Sequence, residues 1–273
     1  MLVDELLDKY EDQLKFLGHA QGTKYRYMRV ADLYLEYSKG VMSRDTVMEY
    51  VNVHSASSST YRRWIMYVLK GLFDTASLKW PFSKRELPKL SKPSQPFFTY
   101  EAFQAFLKHA ESSLLDYALL RVDAVTGARR GELSEIKMEH YTRPHIKISA
   151  EKGSLDRVRT LDKETCDVLD KYIKTRHSKE PWLFVSERGE YLPPEALSRR
   201  FRLLARKAGL KKGVGWHAIR RGVTTWLFEA GMRERELQDA LGWRSAAMPA
   251  RYIQLSPGAI ESKVQASHPM FKK

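Results

Sequence analysis

Four short stretches of this 273-residue chain carry residue types that could act together on a phosphate. His217-Ala-Ile-Arg220 follows the glycine-rich Gly213-Val-Gly215 and stands where a helix begins. His and Arg three apart share one helical face, so both could address a single phosphate near the positive helix N-terminus. Taken alone this is a weak pattern, and an N-terminal histidine cap is the simpler reading of it. Thr126-Gly-Ala-Arg129-Arg130-Gly-Glu132-Leu133 is a loop opening another helix, with Arg129 at or before the first turn and Glu132 close enough to orient a guanidinium. The plainer reading is an N-terminal charge pair of small stabilising value. Leu241-Gly242-Trp243 is followed by Tyr252, and Lys152-Gly153 occupies a turn, where a solvent-exposed lysine is unremarkable.

A fifth stretch is electrostatic. Ala196 to Lys212 reads ALSRRFRLLARKAGLKK, with the positive side chains Arg199, Arg200, Arg202, Arg206, Lys207, Lys211 and Lys212 and no acid. Leu197, Phe201, Leu204 and Ala208 fall on one face of a helix and leave the charges on the other. A charge run is most simply a solvated face, but so many like charges repel one another unless counter-charges arrive. A DNA backbone would supply them, and each phosphate neutralised adds to a steep salt dependence of binding.

The whole chain leans the same way. Its 47 Lys plus Arg against 33 Asp plus Glu leave a formal net charge of +14 and a pI near 9.7, a surface that seeks polyanions. Residues 1–90 hold 14 basic against 11 acidic side chains and residues 91–273 hold 33 against 22, so the excess is concentrated in the second part. The 43% hydrophobic content supports a real core, and the length suits one large domain or two modest ones. No apolar run nears the ~20 residues that span a bilayer, and no lipidation signature is present. The opening MLVDELLDKY places acids where a secretory signal carries positive charge. A polyphosphate partner rather than a membrane is expected, in the cytoplasm and associated with DNA. The lone Cys166 forms no disulfide within the chain, and the eight histidines form no convincing ligand cluster, so neither metal nor cofactor is expected.

The positioning elements follow from periodicity. In the first ninety residues, Leu6, Leu7, Tyr10, Leu14 and Leu17 share a helical face, as do Tyr27, Val30, Ala31, Tyr34 and Tyr37, and again Tyr61, Ile65, Val68, Leu69 and Leu72. This is a small helical bundle over 1–90, its apolar stripes core rather than binding surface. The proline-rich stretch that begins at Pro88 reads as a linker, set at 91–97, with a second domain over 98–273. There, Glu101–Lys108 and Ser113–Val125 read as helices, the latter capped at Gly127. His145–Ser149 and Arg157–Leu161 alternate like the strands of a hairpin around AEKGSLD. Helices return at Lys163–Lys174, Pro194–Ala208, His217–Ala230 and Arg233–Leu241. The expected class is mainly α with a small antiparallel β-sheet (α+β).

The order Arg, Lys, His-x-x-Arg, Trp, Tyr raises these weak signals together. The sequence resembles the tyrosine recombinase (phage integrase and Xer-like) family across essentially the whole second domain. TGARRGEL is similar to the family's first arginine box, which implies a catalytic arginine at Arg129 and a supporting acid at Glu132. EKG matches the mobile catalytic lysine at Lys152, and HAIRRGVTTWLFEAG the box bearing a histidine at His217 and a second arginine at Arg220. LGWRSAAMPARY is similar to the last box, with Trp243 where most members have histidine and the nucleophile at Tyr252. The segment before the tyrosine lacks the threonines often seen there, and tryptophan cannot shuttle a proton.

The resemblance implies site-specific DNA recombination. Arg129 and Arg220 would fork onto the non-bridging oxygens of the scissile phosphate, and Tyr252 would attack to give a covalent phosphotyrosine. His217 would assist as base or hydrogen-bond partner, Lys152 would protonate the departing 5′ oxygen, and Trp243 would pack the site. The phosphotyrosyl link conserves bond energy, so strand exchange would need no ATP. Also implied are an N-terminal core-binding domain that helps clamp duplex DNA, and a homotetramer on paired sites working through a Holliday junction, from a protein monomeric or dimeric when free. Residues 257–267, after the tyrosine, would form a short helix that docks on a neighbouring protomer. Two alternatives keep their place: a type IB topoisomerase that relaxes supercoils, and a catalytically decayed DNA-binding architectural protein. An RNA-binding reading is weaker, since neither an aromatic RNP-like strand nor a GXXG loop is found.

Overall fold

The computed structural model describes residues 2–90, 96–151, 154–211, 213–245 and 247–253. The chain divides into two compact units, Met1–Ser94 and Gln95–Lys273, each with its own apolar core. Of the expected linker at 91–97, only residues 96 and 97 are described, and residues 257–267 lie outside the described residues.

The first unit is built from α1 (Val3–Phe16), α2 (Gln21–Tyr37), α3 (Arg44–Val53) and α4 (Ser59–Thr75). Leu6, Tyr10 and Leu14 of α1 meet Val30, Ala31 and Tyr34 of α2 and Ile65, Val68, Leu69 and Leu72 of α4 in its core. Each leucine, isoleucine and valine among them contributes about 1.5–3 kcal/mol on full burial. Three residues read as part of these faces lie outside the core: Leu17, just past the end of α1, and Tyr37 and Tyr61, at the ends of their helices, all exposed. A helix end no longer has a neighbouring turn to pack against. The apolar stripes did not single out α3, yet its start is marked by Ser43, whose hydroxyl accepts from Thr46 N at 3.2 Å.

The second unit runs α5 (Tyr100–Lys108), α6 (Leu114–Thr126), α7 (Arg130–Ser134), β1 (Tyr141–Thr142), β2 (His145–Ile148), β3 (Arg157–Thr160), α8 (Lys163–Thr175), α9 (Pro194–Lys207), α10 (His217–Glu229), α11 (Glu234–Leu241) and α12 (Pro249–Tyr252). It has the mainly helical, small-sheet character expected. The strands form one antiparallel sheet in the order β1-β2-β3, with His145 opposite Thr160 and Ile148 opposite Arg157. Ile146 and Ile148 face the core, the period-two burial of a half-buried strand. β1 is too short to leave an alternation in the sequence. Among the described residues no helix is long and apolar enough to cross a membrane.

Candidate active site

Gly127 sets the site's geometry. It ends α6 in the left-handed conformation, φ 55°, its N–H donating to Asp123 O at 2.7 Å. A Cβ there would stand 2.6 Å from Leu241 Cδ2, so the position is closed to side chains in both conformation and space. The chain thereby turns at once into α7, with Arg129 at its N-cap.

Glu132, in the first turn of α7, gathers arginines from three directions. Arg129 donates its backbone N–H to Oε2 and its Nη1 to Oε1, both at 2.9 Å. Arg157 of β3 donates Nη2 to Oε2 at 2.8 Å, and Arg220 Nη1 stands 4.0 Å away. The carboxylate is closed to solvent. Burial pushes its titration up, but the Arg157 hydrogen bond and charge, with the Arg129 N–H, outweigh burial and hold it at about 2. It is ionised whenever the protein is folded near neutral pH.

Arg220 comes from the second turn of α10 and is fully buried. Its Nη1 donates to Gly127 O and its Nη2 to Leu241 O at 2.9 Å, tying together the carbonyl ends of α6 and α11. Burial, then the Arg129 charge, lowers its titration to about 10, so it stays charged. Its guanidinium lies 5.2 Å from the Trp243 ring centroid and 6.0 Å from that of Tyr252. Trp243, buried just past the Gly242 cap of α11, and Tyr252, at the end of the proline-started α12, bring their rings to 5.0 Å. Ser154, in the β2–β3 connection, bridges to Trp243, and Leu155 N donates to Gly242 O at 2.9 Å.

His217 opens α10 and lines a cavity of about 670 Å³ with Arg129, Arg130, Glu151, Ser198 and Arg221. The surrounding protein, then the charges of Arg220, Arg221, Arg130 and Arg129, push its titration down, so the ring is neutral near pH 7. Thus the structure brings Arg129, Glu132, Arg220, Trp243 and Tyr252 to one place, with His217 on the adjoining cavity. Lys152 lies outside the described residues; on either side of it, Glu151 N donates to Ser154 Oγ at 2.8 Å. Among the described residues no group of three or more His, Cys, Asp or Glu could hold a metal ion.

Helix α9 buries Leu197, Phe201, Leu204 and Ala205 and exposes Arg199, Arg202, Arg206 and Lys207, with Lys211 exposed beyond its end. Arg199, Arg202, Arg206 and Lys211 line a groove of about 890 Å³ together with Leu203 and Leu210. Arg200 departs from the expected row: it is drawn inward to Asp116 on α6 and, at 2.6 Å, to Glu187, so its charge is spent within the fold. Lys212 lies outside the described residues.

The sequence reading missed Arg157. Its strand was recognised, but the inward face of β3 carries Arg157, in phase with buried Leu161 just past the strand's end, while Val158 points outward, 56% exposed. The signal was the phase: Arg157 is an even number of residues from Leu161, the position that continues the strand into the core.

Comparison with known proteins accords with this geometry. The model of the Phage integrase family matches residues 96–258. The chain is 24% identical over 270 residues to Tyrosine recombinase XerA of Pyrococcus horikoshii, covering 97% of this chain and 90% of the relative. It is 23% identical over 295 residues to Tyrosine recombinase XerD of Listeria monocytogenes, covering 96% and 99%. In fold it is similar to the crystal structure of XerA recombinase (TM-score 0.60, 23% identity, 98% and 99% covered). It is also similar to that of a lambda integrase tetramer bound to a Holliday junction (TM-score 0.77, 20% identity, 93% and 78% covered).

Proposed function

The chain belongs to the phage integrase family, and from that premise we propose that it is a site-specific DNA recombinase acting through a 3′-phosphotyrosyl intermediate at Tyr252. The observation that carries the proposal is the convergence of Arg220, Trp243 and Tyr252 on the carboxylate-anchored arginine cluster of Glu132. Arg129 and Arg220 neutralise the non-bridging oxygens of the scissile phosphate, and their planar forks suit that task better than an ammonium. Tyr252 Oη attacks phosphorus, the bond to the 5′ oxygen breaks, and the departing 5′ oxygen takes a proton from Lys152. Neutral His217 accepts a hydrogen bond or a proton from the attacking phenol. Attack by a second strand's 5′ hydroxyl reverses these steps, frees Tyr252 and exchanges strands through a Holliday junction.

Arg199, Arg202, Arg206, Lys207 and Lys211 contact the DNA backbone beside the site, and the helical unit over residues 1–90 is a second DNA-binding domain. The assembly is a homotetramer on two duplex sites, working in the cytoplasm with the DNA. The test is covalent trapping: the protein is incubated with supercoiled and candidate-site DNA in EDTA and denatured in SDS. A protein–DNA band that disappears in Tyr252→Phe is expected. Adducts on any DNA with relaxation of supercoils would indicate a topoisomerase instead, and DNA binding without adduct on a broad panel of sites would indicate an architectural protein.

A further inference from the structure

Asp123 lies on α6 one turn before Gly127, wholly out of solvent, and neither carboxyl oxygen has a hydrogen-bond partner among the described residues. Among the other buried polar atoms in the same condition, Trp216 Nε1 and Arg220 Nε belong to residues four apart at the start of α10 and so share a helical face. Both act on Asp123. The Arg220 charge favours the carboxylate, and the Trp216 N–H approaches it without closing a hydrogen bond of normal geometry. Trp216 is itself fixed by the core, its ring 5.6 Å from Phe201 of α9. The other charged groups that reach Asp123 are Glu132 from α7 and Arg157 from β3. Arg121, on α6 itself, is tied to Asp162 and Glu164.

The charges around Arg220 are therefore unequal. Arg129, Arg157 and Arg220 face one permanently ionised acid, Glu132. Burial pushes the second acid, Asp123, up to about 8, which leaves it uncharged near neutral pH and the cluster with an excess of positive charge. An entering phosphodiester, and still more the pentacoordinate phosphorus of the transition state, needs that excess.

We propose that Asp123 is a positioning residue for the reaction inferred above: uncharged, it leaves the charge of Arg220 to the bound phosphate, and ionised, it draws Arg220 Nε to itself across the α6–α10 contact and withdraws that charge. The proposal rests on the recombinase reading for its consequence but not for its geometry. A purely structural Asp123 would change stability and rate without moving the pH profile.

Two measurements from about pH 6 to about pH 10 decide it. The first is the rate of Tyr252–DNA adduct formation on supercoiled DNA. In the wild type a step that depends on uncharged Asp123 falls about tenfold per pH unit beyond its titration. The isosteric Asp123→Asn, locked neutral, is expected to keep its rate there. The second is the tryptophan emission of the DNA-free protein, with the contribution of Trp216 isolated by difference from Trp216→Phe. That contribution is expected to titrate near the pH at which the rate falls. Equal pH profiles in wild type and Asp123→Asn, or Trp216 emission that stays flat across the range, would overturn the proposal. The emission titration needs no DNA and no Asp123 variant, so it decides the coupling even if Asp123→Asn fails to fold. Absence of any adduct from the wild type would sink the recombinase reading instead.

Discussion

Arg157 Nη2 donates to Glu132 Oε2 at 2.8 Å with both side chains withdrawn from solvent, joining β3 to the first turn of α7 beneath the candidate active site. The same carboxylate takes Arg129 on its other oxygen. One buried acid therefore fixes Arg157 and Arg129, the arginine proposed to meet the phosphate, in a single geometry.

Removing that acid strands buried charge. Glu132→Ala is expected to lose about 3–5 kcal/mol of stability, the cost of leaving a buried partner uncompensated, and to slow adduct formation more than about tenfold. Glu132 titrates at about 2 in the fold against an ordinary 4.5, so its stabilising contribution is full above pH 4.5 and is lost as pH falls through about 2. Thermal melts in acid should show that loss in the wild type and not in Glu132→Gln. Parallel acid curves for the two proteins would contradict the assignment.

His217 is held neutral by its crowded surroundings and four nearby arginines, its titration below the ordinary 6.5. As pH falls below 6.5 the unfolded chain takes up a proton before the folded ring does, which costs stability, and at lower pH still the ring itself is protonated and lost as an acceptor. Adduct formation should therefore decline on the acid side. His217→Asn should flatten this limb while lowering the rate about 10²–10⁴-fold, which a pH–rate profile measures.

The positive face of α9 is divisible. Arg199→Ala, Arg202→Ala and Arg206→Ala should each weaken binding to a duplex and reduce the slope of log affinity against log salt by about 1. Arg200→Ala should leave the slope unchanged and lower the melting temperature, because its ion pairs are with Asp116 and Glu187. A slope change for Arg200→Ala equal to that for Arg199→Ala would show that it, too, reaches phosphate.

Trp243 supports both Arg220 and Tyr252 from a buried position. Trp243→Ala should cost about 3–5 kcal/mol through the cavity left behind and reduce the adduct yield beyond what unfolding explains. Trp243→His, smaller but still a hydrogen-bond donor, should retain more adduct than the alanine variant at matched folded fraction. Melting curves paired with SDS trapping report both quantities.

Much of this was written locally. Ser113 and Gly127 punctuate α6, the i, i+3, i+4 apolar spacing of α9 turns its arginines outward, and Pro249 starts the short helix of Tyr252, all effects of neighbours within a few residues. The order of Arg129, His217, Arg220, Trp243 and Tyr252 along the chain was equally legible, because each sits in a local motif. What the chain order could not contain was distance between remote segments. That Arg157 rather than Val158 turns inward, that Arg200 is consumed by an acid 84 residues away, and that Asp123 faces Trp216 and Arg220 without closing a bond depend on how helices and sheet pack. A side chain's charge is a property of the sequence; whether that charge is compensated, exposed or left bare is decided only when remote segments share one buried volume, where dielectric and desolvation set its energy.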